Sequence, residues 1–178
     1  EAIENAVGQA AAFARSGRPL TARDVIEFVA LDRDNPSSVW NCLRAARENA
    51  HAVRGTLTAE MWETTNATWL EIREVTPHKL QGMDLGEFFE WVKFRSHLLR
   101  GVTFGTMLHD DAFKFVRLGT YLERADNTAR LLDVKYHSLL PKAEGLTSST
   151  DFYQWGALLR SVSAFETYRH VYRDVITP

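Results

Sequence analysis

Cysteine is nearly absent: Cys42 is the only one in 178 residues. An intramolecular disulfide is thereby excluded, and so is a zinc site built from cysteines alone. The expected setting is reducing and cytoplasmic. Long apolar runs are missing as well. An uncharged stretch such as "GVTFGTML" (101–108) has eight residues, far short of the roughly 20 that a membrane-spanning helix needs, so no membrane partner is expected. Neither sign of charge prevails. The 21 basic and 23 acidic residues give a formal net charge of -2 without gathering into long blocks. A nucleic-acid-binding domain would call for a basic patch or stripe, and no nucleic-acid partner is expected. There is no glycine-rich phosphate loop with its lysine, no dinucleotide fingerprint and no nucleophile elbow. No methionine precedes Met61, so the chain is expected to lack its native amino terminus.

What is present is helical period. Apolar residues make up 45% of the chain and charged residues 25%, enough of each for a core and a wet surface. The spacing predicts an all-α bundle of about five to six amphipathic helices, mostly antiparallel, in one domain over 1–178. Residues 2–15 are an alanine-rich helix ended by "SGRP". Thr21 with Asp24 resembles a capping box opening "ARDVIEFVAL", and "DRDNP" ends it. The next helix, about 36–56, would hold Pro36 in its first turn and place Val39, Leu43, Ala46, Ala50, Val53 and Leu57 on one stripe. Thr58 caps a helix running to about 75, with Trp62 and Trp69 a heptad apart, and "TPHKLQGMD" breaks the pattern.

Asp84 and Glu87 suit the start of a long helix containing Phe88, Val92, Leu99 and Val102. Gly101 and Gly105 mark either a close backbone approach or a weak point. The most regular segment is 110–140. There Phe115, Leu118, Leu122, Ala125, Ala129, Leu132, Tyr136 and Leu139 alternate three and four apart, the pattern of a buried bundle seam. Ser148 with Asp151 would cap a last helix, "FYQWGALLRSVSAFETYRHVYRDVI".

Beside the seam runs a charged row that includes Glu123, Asp126, Arg130 and Asp133, where Asp126 and Arg130 form a favourable i,i+4 pair. The row is expected at the bundle margin, partly covered, with Arg130 bonded to one of the acids and with Leu122, Ala125, Ala129 and Leu132 buried beside it. A solvated face, a structural network and a ligand site all remain open for it. In "RAARENAHAVR" (44–54), Arg47 and Arg54 share a face, and Glu48 with His51 has the Glu-x-x-His spacing of helical di-metal proteins. The partner ligands are not assignable, so neither metal nor cofactor is expected. Cys42 is expected to be a small buried core thiol. Trp62 and Trp69 are expected to pack in the core or at an interface.

Several separated stretches carry a family resemblance: "NPSSVWNCLRAARENAHAVR" at 35–54, "LTAEMWETTN" at 57–66, "GTMLHDDAFKFVRLGTYLERADNTARLLDVKY" at 105–136 and "LLRSVSAFETYR" at 158–169. Over nearly all of 21–178 the chain resembles the alpha-E domain family, a bacterial all-helical family of unknown function named for a conserved Glu-Arg motif. Glu123-Arg124 would be that motif here. The resemblance implies structural or functional roles for Arg47, Glu48, Asn49, Arg54, Thr106, Met107, Asp110 or Asp111, Arg117, Glu123, Arg124, Asp126 and Arg130. It also implies that the chain is the central part of a longer domain. The family keeps company with ATP-grasp-like ligases and transglutaminase-like cysteine peptidases. That company implies a non-catalytic scaffold or partner-binding protein accessory to such an enzyme in peptide or amide metabolism. The alternative is a small-ligand-binding protein or enzyme whose Arg/Glu site takes carboxylate or phosphate groups. Self-association stays open.

Overall fold

Side-chain caps mark most of the helix starts. The computed structural model describes residues 10–134 and 149–173, and its regular structure there is entirely helical. The elements are α1 (Ala10–Arg15), α2 (Ala22–Leu31), α3 (Val39–Ala52), α4 (Ala59–Arg73), α5 (Pro77–Gly82), α6 (Leu85–Thr106), α7 (Asp111–Val134), α8 (Ser149–Ser161) and α9 (Phe165–Tyr172). A 3-10 turn at Arg54–Thr56 follows α3. Thr21, Ser38, Thr58 and Thr76 each accept the backbone N–H three residues ahead, at 3.1–3.3 Å. Asp84 accepts from the Gly86 N–H at 2.7 Å, and Asp110 from the Phe113 N–H at 3.2 Å. Each such bond satisfies one of the orphan donors of a first helical turn.

Three expectations are corrected by these boundaries. Pro36 stands in the turn before α3, because the cap is Ser38. "TPHKLQGMD" holds the short helix α5, because Thr76 caps it and Pro77 occupies its first position, where no amide hydrogen is needed. The last segment is two helices. Ser163 adopts a left-handed φ of 57°, with Ser163 N–H bonded to the Arg160 carbonyl and Ala164 N–H to the Leu159 carbonyl. That pair of bonds is a Schellman ending, here without the usual glycine. The expected cap at Ser148 and the ends of the first and seam helices, at 2–9 and 135–140, lie outside the described residues.

The α2–α3 connection is wired by polar groups. Asn41 donates through Nδ2 to the carbonyls of Asp32, Arg33 and Asn35 at 3.1, 2.9 and 2.8 Å. Asn35 in turn donates to the Phe28 carbonyl at 3.0 Å. These bonds turn Asn41 inward. Cys42, one residue on, is exposed, where a buried thiol was expected.

Two antiparallel packings follow. Across α3 and α4, Trp40 meets Trp69 edge-on at 4.9 Å and Arg47 bonds Asn66 at 3.3 Å, so residue numbers rise on one helix as they fall on the other. Across α4 and α6, Thr58 bonds Thr106 at 2.7 Å at one end. At the other end Glu71 accepts from Trp91 Nε1 at 2.9 Å and pairs with Arg95. The main core lies between these helices and α2: Ala30, Leu31, Ile72, Leu80 and Phe88 are buried, with Trp40, Trp69 and Trp91 packed against them. Gly101 and Gly105 are not points of close approach, since a Cβ at either would meet nothing within 4 Å.

Phe88 is 1% exposed and Phe115 72%, so the two should behave oppositely when truncated. Phe88→Ala is expected to cost about 3–5 kcal/mol in denaturant unfolding, and Phe115→Ala no more than about 0.5 kcal/mol. Equal losses would place Phe115 in a core.

Candidate functional site

The start of α7 is anchored by one face. Phe113 is buried with Met61 and Met107, stacks on His109 at 4.1 Å and meets Phe104 edge-on at 5.3 Å. One turn later the Arg117 guanidinium lies 4.6 Å over the Phe104 ring and 4.9 Å over Tyr121, with Phe113 at 5.8 Å. It also donates to the Tyr121 hydroxyl. The ring faces attract the cation and limit its orientation.

Beyond that anchor α6 and α7 enclose a cleft of about 560 Å³. Arg117, Tyr121 and Arg124 line it from α7, and Ser96, Arg100 and Thr103 are among its residues from α6. Among the described residues, three guanidinium groups and no carboxylate line this cleft. Among the described residues, none of the three arginines is in an ion pair. Arg100 bonds a ring nitrogen, His97 Nδ1, at 3.0 Å. Arg117 and Arg124 had been singled out by the family resemblance. Arg100 had not, because nothing in its own stretch of sequence announces that α7 will bring two more arginines beside it.

The packing turns the other rows of α7 away from the cleft. Helical geometry rotates successive side chains by about 100°, so Glu123 and Arg124 diverge although they are adjacent. Arg124 lines the cleft. Glu123 lies close enough to α3 for its charge to reach the Cys42 thiol, whose pKa is raised first by partial desolvation of the sulfur, although the residue as a whole is exposed, and second by that carboxylate. Asp126 accepts from Arg130 at 2.7 Å, as expected, and that bond together with the Asp126 and Glu123 charges raises the Arg130 pKa. All three side chains are exposed, so among the described residues the expected covering helix is not found over them. Exposed pairs of this kind are screened by water and contribute little.

The seam expectation is reversed. Phe115 is 72%, Leu118 51%, Leu122 63% and Leu132 41% exposed, and Ala125 and Ala129 are exposed too. Their row points about 140° away from the cleft, counting 100° per residue. Phe113 and Arg117 occupy the packed side instead.

The remaining candidates fall into two other places. Arg47 and Arg54 lie over the Trp62 ring at 5.5 and 5.6 Å, with His51 against the same ring at 5.7 Å. Glu48 pairs with Arg44 at 4.0 Å on the surface. Asn49 accepts the Val53 N–H that ends α3. Thr106 and Met107 tie α6 to α4, through the Thr58 bond and the small cluster around Phe113. Asp110 caps α7 and Asp111 pairs with Lys114 at 2.9 Å. Among the described residues no hydrogen bond, ion pair or ring contact joins the Trp62 group to Glu123, Asp126 or Arg130. No group of three or more His, Cys, Asp or Glu is placed to hold a metal among them either. No helix in the described residues is long and apolar enough to cross a membrane.

The model of Alpha-E, described as a predicted alpha-helical domain with a conserved ER motif, matches residues 1–178. No curated protein and no solved structure matches the chain significantly. Glu123-Arg124 is the chain's single Glu-Arg dipeptide.

The Cys42 thiol reports on where Glu123 stands. Alkylation of Cys42 followed against pH is expected to have its midpoint above that of an ordinary thiol, and Glu123→Gln to lower it, because a carboxylate that opposes thiolate formation is gone. An unchanged midpoint in E123Q would show that α7 does not run beside α3 there.

Proposed function

Because the chain belongs to the Alpha-E family, a family described by its helical fold and ER motif, we propose that it is a partner-binding helical scaffold whose docking element is the outer face of α7. The exposed apolar row carries this reading. Phe115, Leu118, Leu122 and Leu132 stand in water on one face of a helix whose other face is already packed. Contiguous exposed apolar side chains of this size mark interaction surfaces. From 115 to 132 the row runs about 26 Å at 1.5 Å per residue, the length of a helix-in-groove contact.

The charges beside the row suggest the partner's chemistry. Glu123, Asp126 and Asp133 flank one edge and Arg130 is the cation among them. A complementary partner would lay down an amphipathic helix with basic residues along that edge. An ATP-grasp-like ligase or a transglutaminase-like peptidase is the partner class we propose, with peptide or amide metabolism as the setting. No constellation of nucleophile, base and orienting group supports independent catalysis by the described residues.

A double substitution, Leu118→Glu with Leu122→Glu, tests the docking face against a purified ATP-grasp-like or transglutaminase-like protein. Binding is expected to weaken by more than about tenfold, since two apolar contacts become buried charges. Stability should change by less than about 1 kcal/mol, because both sites are exposed. Undiminished binding by the variant would remove α7 from the interface. A loss of several kcal/mol in unfolding would show that the row is covered by the chain itself. Dissociation of a homodimer by the same variant would assign the face to a second copy.

A further inference from the structure

On the opposite side of α7, and independently of any docking partner, we infer that the α6–α7 cleft binds an amphiphilic oxyanion: a carboxylate or phosphate head group held by Arg100, Arg117 and Arg124, with an apolar body beside it. Four observations meet here. The first is charge. Three guanidinium groups from two helices line one cleft, and among the described residues no acid lines it and none of the three is neutralised by an ion pair. Some arginines elsewhere do have acid partners: Arg18 with Asp32, Arg95 with Glu71, Arg130 with Asp126. Like charges left facing one cavity repel one another, and an oxyanion relieves that repulsion.

The second observation is preorganisation. The Arg117 guanidinium lies over the Phe104 and Tyr121 rings, 4.6 and 4.9 Å from their centroids, and is bonded to the Tyr121 hydroxyl. A guanidinium has five N–H donors, so that single bond leaves others for the two-point recognition of a carboxylate or phosphate. A side chain already held there loses less conformational entropy when a ligand arrives.

Size is the third. About 560 Å³ falls in the range of small-molecule sites, roughly 300–1,000 Å³. The fourth sets the ligand's other end. A second hollow of about 400 Å³ shares Leu99, Thr103 and Val116 with the cleft, and among the described residues its remaining lining, including Ala46, Leu57 and Met61, holds no charged group. A head group among the arginines therefore puts whatever it carries next to an apolar wall. A bare inorganic ion would use only half of this arrangement.

Isothermal titration of the full chain with inorganic phosphate, butyrate, octanoate, octyl phosphate and octylammonium tests the inference. Octanoate and octyl phosphate should bind saturably, and octanoate should bind at least about tenfold tighter than butyrate, because each buried methylene adds roughly fourfold in affinity. Octyl phosphate should likewise exceed inorganic phosphate. Octylammonium should not bind. Arg124→Ala and Arg100→Ala, both at exposed positions, should each weaken octanoate or octyl phosphate by about tenfold, on the scale of one charge-assisted contact, with an unchanged thermal transition. Leu118→Glu with Leu122→Glu should leave this affinity intact, which separates the cleft from the docking face. If octanoate proves the tighter ligand the head group is a carboxylate, and if octyl phosphate does it is a phosphate ester. Equal binding of octylammonium, equal binding of inorganic phosphate and octyl phosphate, or unaltered affinity in both arginine variants would each overturn the inference.

Discussion

The aromatic cage around Arg117 fixes how α7 is turned about its own axis. Phe113 enters the small apolar cluster with Met61 and Met107, and Arg117, four residues on, is caught between the rings of Phe104 and Tyr121. A helix allows no independent choice for the residues that follow, because each is displaced by about 100° from the last. Once Phe113 and Arg117 face the bundle, Arg124 must line the same side, Glu123 and Arg130 must take a flank, and Leu118 and Leu122 must face outward. The cleft, the acidic flank and the exposed apolar row are thus three consequences of one anchor.

Much of the fold was legible because capping chemistry is local. Thr21, Thr58, Asp84 and Asp110 mark helix starts in the sequence as they do in space. Two errors came from context that is also local but weaker. A threonine followed by proline made six residues of helix where a break was expected, and a serine took a left-handed ending commonly left to glycine. The exposure of Cys42 was missed for a tertiary reason, since the inward face of α3 is set by an asparagine amide that bonds three carbonyls.

The orientation of α7 was not legible. Apolar periodicity finds the row that would gain most from burial, but it does not say whether anything in the chain covers that row. Phe113 was absent from the expected seam, and Arg117 is a charged residue on the packing face, held by cation–π contacts that hydrophobicity does not count. The adjacent residues of the Glu-Arg dipeptide serve different surroundings, Glu123 acting on the α3 thiol and Arg124 on the cleft. A dipeptide motif on a helix need not describe one site.

The cleft, the acidic flank and the exposed row all depend on the rotation of α7, which thiol accessibility measures. In a Cys42→Ser background, single cysteines at Phe113, Leu118 and Leu122 would be alkylated in the dilute, purified chain. Leu118→Cys and Leu122→Cys should react within about threefold of a free thiol, and Phe113→Cys at least about tenfold more slowly, since exposure governs access to the sulfur. Protection of positions 118 and 122 with rapid labelling at 113 would mean the opposite rotation, with the apolar row inside and the arginine cleft outside.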